Sequence, residues 1–295
     1  MRVLLDDVHF LEGPRWREGR LFVSDFFLRQ VIAIDPRSGA VEVICEVPGQ
    51  PSGLGWDREG RLLVVSMKDR RLLRLGAGGL EEVADLAALV GGDLNDMYVD
   101  GEGRAYVGNF GTDLGPHTPG KLVPETDLLR VDLDGSVAVA ASGLVFPNGI
   151  AASADGGTLL VAETWACRIS AFEVGADGSL GARREWAAFE PRPAEHVVEE
   201  VVPSAAFCPD GIALDAEGAL WVADGGGAGI HRVAEGGAVL DSILTAELGL
   251  SAYACALGGE SGRTLFVCAA PPLFFDFAGA RRGALLAVEV DVPGV

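Results

Sequence analysis

No stretch of this 295-residue chain reaches the ~18 to 20 consecutive apolar residues that a membrane-spanning helix needs. Its first residues, MRVLLDDVHFLEG, hold acids within seven positions and no cleavable apolar core, so no secretory signal is expected. Cysteine is scarce and odd in number. Cys45, Cys167, Cys208, Cys255 and Cys268 lack metal-ligand spacing and read as reduced, small core side chains, which makes the cytoplasm the default location. Positive charge is also short: 23 Lys plus Arg face 43 Asp plus Glu, a net charge of −20. Such a surface repels nucleic acid and anionic membranes, so neither is expected as a partner. Helical periodicity is nearly missing too, and only Glu81 to Val90 is predicted to form one or two helical turns.

What the chain does have is apolar residues, 49% of the total, in short strand-like runs such as RLLVVS, TLLVAE and ALWVAD. Acidic turns closed by glycine (WDREGR, VDGEGR, LDAEGA) separate many of them, and glycine supplies the positive φ such turns require. Strand, acidic turn and strand recur as a unit. The copies are LEGPRWREGRLFVSD from Leu11, SGLGWDREGRLLVVS from Ser52, NDMYVDGEGRAYVGN from Asn95, NGIAASADGGTLLVAE from Asn148, PDGIALDAEGALWVAD from Pro209 and a looser ACALGGESGRTLFVCA from Ala254. Starts roughly 40 to 60 residues apart fit the blades of a propeller. The predicted fold is therefore all-β, a six-bladed β-propeller with an axial metal site, occupying residues 1–295 as a single domain. Arg2 to Leu5 and Ala284 to Asp291 are expected to share a blade and close the ring, since otherwise two sheet edges stay unpaired.

Aligned on their turn glycines, the copies place Glu12, Ser52, Asn95, Asn148 and Asp210 at one repeat position, with Ala254 in the sixth. Each is also a common turn or loop former when taken alone. At a shared position around one axis, five oxygen-bearing side chains converge on one channel. Carboxylates do not gather in a confined space without a cation, because burial and mutual repulsion both disfavour their charged forms. No His or Cys occupies the position, and hard oxygen donors select Ca²⁺, with Mg²⁺, Mn²⁺ or, less suited to an all-oxygen set, Zn²⁺ as alternatives. Two Pro- and Gly-rich or acidic insertions, residues 111–127 and 190–208, flank the third and fifth copies and are predicted to be lids.

The motifs LEGPRW, LNDMYVDGEGRAYVGN, FPNGIAAS and CPDGIALDAEGALWVA resemble those of the regucalcin (senescence marker protein)/gluconolactonase family of propeller lactonases, over essentially the whole chain. The resemblance implies that Glu12, Asn148 and Asp210 bind the metal and that Asn95 lies near metal and substrate. Asp113 loosely matches an acid that contacts sugar in family members. Asp93 stands where sugar-lactone members carry an arginine, and Phe26, Phe27, Phe110, Phe146, Trp165, Phe207 and Tyr253 near the presumed mouth suggest a more apolar substrate. The implied activity is hydrolysis of a small lactone or ester, with the cation as Lewis acid and Asp210 as general base, by a monomer or small homo-oligomer. The alternatives are a phosphotriester hydrolase using the same aspartate, and a non-enzymatic calcium- or metabolite-binding propeller.

Overall fold

A computed structural model describes residues 1–113, 124–190, 205, 207–272 and 278–295. The cores of both predicted lids, 114–123 and 191–204, lie outside the described residues. The first strand, β1 (Arg2–Val8), precedes five blades of four consecutive antiparallel strands each. Blade one is β2 (Leu11–Arg17), β3 (Arg20–Asp25), β4 (Gln30–Ile34) and β5 (Val41–Glu46). Blade two is β6 (Pro51–Trp56), β7 (Leu62–Ser66), β8 (Arg71–Gly76) and β9 (Gly79–Asp85). Blade three is β10 (Leu94–Val99), β11 (Ala105–Asn109), β12 (Thr126–Val131) and β13 (Val137–Leu144). Blade four is β14 (Pro147–Ala152), β15 (Thr158–Glu163), β16 (Arg168–Glu173) and β17 (Arg184–Ala188). Blade five is β18 (Pro209–Leu214), β19 (Leu220–Asp224), β20 (Gly229–Val233) and β21 (Val239–Leu244).

The sixth sheet joins the two ends of the chain. Its order runs β22 (Ser251–Gly258), β23 (Thr264–Ala270), β24 (Gly283–Glu289) and then β1, with Arg2 opposite Ala287 and Val8 opposite Gly283. The architecture is a six-bladed β-propeller.

Six apolar clusters fill the six gaps between neighbouring blades. Phe22, Val31, Leu54 and Val64 pack between blades one and two, and Tyr106, Leu128, Ile150 and Phe172 between three and four. Val23, Ile34, Phe266 and Leu285 seal blade six against blade one. Each blade is apolar on both faces, because it has a neighbour on both sides, and its two outer strands become more exposed with distance from the axis.

The inner hairpins are held by a repeated side-chain lock. In blade two, Asp57 Oδ1 accepts from the backbone N–H groups of Glu59 and Arg61, while Arg61 Nε donates to Asp57 Oδ2 at 2.7 Å. Blade three repeats this with Asp100, Glu102 and Arg104. Where blade five has Ala219 in place of the arginine, Arg232 of the neighbouring strand fills Asp215 Oδ2 at 2.7 Å.

Two expectations are corrected. Residues 81–85 belong to β9, not to a helix: their N–H and C=O groups pair with β8, Arg74 facing Glu81 and Leu73 facing Glu82. The acidic residues lie exposed on this outer strand, so a spacing that fits a helix face fits an edge strand and its following turn equally well. The sixth repeat position also shifts. Ser251 pairs with Ala270 as Pro209 pairs with Asp224, which puts Ala252, not Ala254, opposite Asp210 in the repeat.

Candidate active site

Glu12, Ser52, Asn95, Asn148 and Asp210 are each the second residue of an inner strand, and all are buried. A bulge follows each of these positions, and the residue within it is glycine in four blades. Crowding around the axis explains the glycines. A Cβ on Gly13 would lie 2.7 Å from Ser52 O, on Gly53 2.3 Å from Met97 N, on Gly149 2.5 Å from Asp210 O and on Gly211 2.6 Å from Ala254 Cα. In blades three and six the same position carries Asp96 and Tyr253, so two side chains enter where the other blades have none.

Asp96 therefore brings a third carboxylate to the axis. Its Oδ1 accepts from Met97 N and from Arg15 at 2.8 Å, and Arg15 also donates to the carbonyls of Pro14 and Met97. Arg15 thus sets one guanidinium against Asp96 and near Glu12. Burial, and next the charge of Asp96, push Glu12 from 4.5 up to about 8. Asp210 is raised well above the ordinary carboxylate range, first by burial and then by Glu12 and Asp96, with the Asn148 amide pulling the other way. Asp96 is raised as well, by burial, with Arg15 opposing.

Two polar atoms of the set have no hydrogen-bond partner among the described residues. Asp210 Oδ1 is a buried acceptor without a donor, and Asn95 Nδ2 a buried donor without an acceptor. Asn95 Oδ1 accepts weakly from Ser52 Oγ at 3.4 Å, and Asn148 Nδ2 donates to Thr164 Oγ1 at 3.1 Å. Buried polar groups are ordinarily paired, so orphans of opposite character in one site are groups waiting for a ligand. Among the described residues no three His, Cys, Asp or Glu side chains are placed to hold a metal by themselves. The side-chain oxygens available to a cation there are those of the Glu12 and Asp210 carboxylates and of Asn148. An unpartnered carboxylate oxygen and an excess of buried carboxylates over cations are what an oxygen-ligated divalent ion corrects.

Asp113 stands elsewhere. Its side chain is 58% exposed and ion-paired with Arg70 at 2.7 Å on the rim. Asp93 is buried and accepts from Lys68, which lies across the gap between blades two and three. Sequence reasoning alone gives Arg15, Asp96 and Thr164 no role. Asp96 does carry a readable signal, being a non-glycine at a position that is glycine in most copies.

The aromatic residues divide. Phe26, Phe110, Phe146 and Trp165 join Met67 and Val145 in one buried cluster that also touches Phe10 and Phe27. Tyr253 packs on Phe10 at 4.7 Å and donates to Pro271 O at 2.8 Å. Phe207 packs instead on Phe189 in the gap between blades four and five, as a core residue.

Comparison with known proteins places the chain. A 6-deoxy-6-sulfogluconolactonase of Pseudomonas putida is 26% identical over 96% of this chain and 92% of its own length. The pentonolactonase XacC of Haloferax volcanii is 28% identical over 72% of this chain and 65% of its own. Among solved structures, a calcium-binding regucalcin from Agrobacterium tumefaciens superposes with a TM-score of 0.76 at 22% identity, covering 100% of this chain and 95% of that one. A luciferin-regenerating enzyme superposes with a TM-score of 0.78 at 22% identity, over 99% and 95% of the two chains. The profile of the SMP-30/Gluconolactonase/LRE-like region matches residues 10–271, and with the repeat, the propeller and the buried acids in hand the chain belongs to that family.

Proposed function

We propose that this protein is a divalent-cation-dependent lactonase whose site is the ring of Glu12, Asn95, Asn148 and Asp210. The observation that carries the reading is the buried, unpartnered Asp210 Oδ1 beside a second raised carboxylate. The relatives from Pseudomonas putida and Haloferax volcanii are both named as lactonases, which directs the reading to a lactone ring.

Glu12, Asn148 and Asp210 hold the cation, most naturally Ca²⁺. When bound, the cation polarises the lactone carbonyl as a Lewis acid and favours the ionised form of the raised carboxylates. Asp210 accepts the proton of the attacking water at the carboxylate oxygen that does not hold the cation. The water oxygen bonds to the carbonyl carbon, the ring C–O bond breaks, and Asp210 returns the proton to the departing ring oxygen. Asn95 Nδ2, with no partner among the described residues, donates to a substrate oxygen. Arg15 keeps Asp96 in place and opposes the upward push that burial gives its carboxyl. Asp113 would meet only a substrate group that protrudes past the rim.

The test is a lactone panel assayed on metal-stripped protein with Ca²⁺, Mg²⁺, Mn²⁺ or Zn²⁺ restored singly. Hydrolysis that vanishes on stripping and returns with one of these ions is the expected result. Metal-independent hydrolysis, or none with any ion, would refute the reading.

A further inference from the structure

The six gaps of the propeller are filled by six apolar clusters, one per gap, and the fold needs no more. The seventh belongs to no gap. Phe26, Met67, Phe110, Phe146 and Trp165 come from loops of blades one to four and meet one another at the end of the channel where the inner strands begin.

A repeated backbone bond sets this tier directly above the polar ring. In blades one to five, the first residue after the second strand donates its N–H to the carbonyl two residues before the ring position. The pairs are Phe26 to Phe10 at 3.1 Å, Met67 to Gln50 at 2.8 Å, Phe110 to Asp93 at 2.9 Å, Thr164 to Phe146 at 3.2 Å and Gly225 to Cys208 at 3.0 Å. Phe146 is held at φ +52°, a conformation costly for a bulky side chain, and Glu163 pins the preceding Val145 N–H at 2.9 Å. The strained backbone sets the Phe146 ring 4.4 Å from both Phe110 and Trp165.

Blade five differs. It places Gly225 where blades one to three place Phe26, Met67 and Phe110, with Gly226 and Gly227 following, and a Cβ on Gly225 would lie 2.8 Å from Asp210 Oδ2. The glycines keep the space over the proposed base clear, while among the described residues blades one to four supply the apolar tier. Two polar side chains of the tier are engaged: Gln50 Nε2 donates to Phe26 O at 3.2 Å, and Asp93 accepts from Lys68.

We infer that the site takes a lactone bearing an apolar alkyl or aryl substituent, seated against Phe26, Met67, Phe110, Phe146 and Trp165, rather than a polyhydroxylated sugar lactone. This rests on the lactonase reading and adds the substrate class. Hydroxyls on the ring would be desolvated against aromatic faces without replacement hydrogen bonds, whereas an alkyl chain gains burial with each methylene.

The experiment compares kcat/KM for δ-lactones of increasing side-chain length with glucono-1,5-lactone, on the full chain supplied with calcium. A rise of about three- to fourfold per added methylene is expected until the tier is filled, with the longer members exceeding the sugar lactone. Trp165→Ala and Phe110→Ala should flatten this dependence, and Trp165→Phe should retain most of it, with thermal melts confirming that each variant is folded. Glucono-1,5-lactone turned over as well as or better than the alkyl series, or no chain-length dependence in the unaltered protein, overturns the inference and leaves the lactonase reading standing. No hydrolysis of any lactone overturns both.

Discussion

Both ends of the inner hairpins carry buried or half-buried acids, and the two ends treat them oppositely. At the turn end, Asp57, Asp100 and Asp215 each accept two backbone N–H bonds and one arginine Nε. At the ring end, Glu12 and Asp96 share Arg15, and Asp210 Oδ1 accepts nothing from the described residues. The same residue type, within one strand's length, is structural where its oxygens are satisfied and poised for a ligand where they are not. Burial does not separate the two, since Asp215 is more deeply buried than Asp210. Satisfaction of hydrogen bonds does.

The sharpest way to break this contrast is the pair Asp210→Asn and Asp215→Asn, which lie at opposite ends of β18. Asp210→Asn retains an oxygen but loses the proton acceptor, so kcat should fall by at least ~10²-fold on whichever lactone turns over. Asp215→Asn weakens a charge-assisted bond to Arg232 and should lower Tm while leaving kcat of the folded fraction near normal. Calorimetry and steady-state rates on both variants decide the matter. Near-normal turnover in Asp210→Asn at saturating cation would end the general-base assignment.

Removing the cation tests the same contrast through pH. In cation-free protein Glu12 ionises near 8 instead of 4.5, because burial and Asp96 penalise its charge. Between those values the folded state keeps a proton that the unfolded chain has lost, so stability falls as pH rises from about 5 to 8. The loss should be on the order of a few kcal/mol across that window, read as a declining Tm in chelator. Saturating calcium should remove most of the decline by binding the folded state. A Tm that is flat with pH in chelator, and unmoved by calcium, would count against the ring as a cation site.

A smaller effect is expected one step from the ring. Gly225→Ala brings a Cβ to 2.8 Å from Asp210 Oδ2, closer than carbon and oxygen tolerate. The carboxylate must turn or the loop must shift, and displacements of well under 1 Å at a reacting group are costly. A loss of about tenfold in kcat/KM is expected, with little change in Tm, since no hydrogen bond or core contact is removed. An unchanged rate would show that Asp210 has more freedom than its crowding suggests.

The fold is legible in the sequence because a propeller repeats its sentence: a ring residue, an apolar strand, an acidic turn with glycine, and a second strand. Ser52, Asn95, Asn148 and Asp210 lie eight residues before those glycines and Glu12 seven, so the residue order brings out their shared position. The sixth copy slips by two residues because its bulge and its longer turn shift the count between glycine and strand start. Asp96 escapes because its meaning lies in Arg15, 81 residues away, and adjacency to Asn95 suggests a turn instead. Residues 81–85 escape for a different reason: an exposed edge strand with acids on its open side leaves a pattern that a helix shares. The aromatic tier is visible residue by residue, but only the backbone bonds show that Phe110 and Trp165 meet while Phe207 belongs to a gap.

The smallest expected effect belongs to the turn end. Arg104 Nε donates to Asp100 Oδ2 at 2.6 Å, and its Nη1 reaches Ala176 O at 3.2 Å. Truncation by Arg104→Ala removes both, yet Asp100 Oδ1 keeps the backbone N–H bonds of Glu102 and residue 104 that shape the turn. The carboxylate left behind sits where water can reach it, with its side chain 13% exposed, so it is not stranded as a buried charge would be. Such partly exposed pairs contribute little, and Tm should fall by no more than about 2 to 4 °C. The rate on any lactone should stay within about twofold, because the turn lies at the far end of the strand from the ring. A larger loss of activity than of stability in Arg104→Ala would mean that the hairpin locks position the ring, and the division between structural and ligand-ready acids would then be too simple.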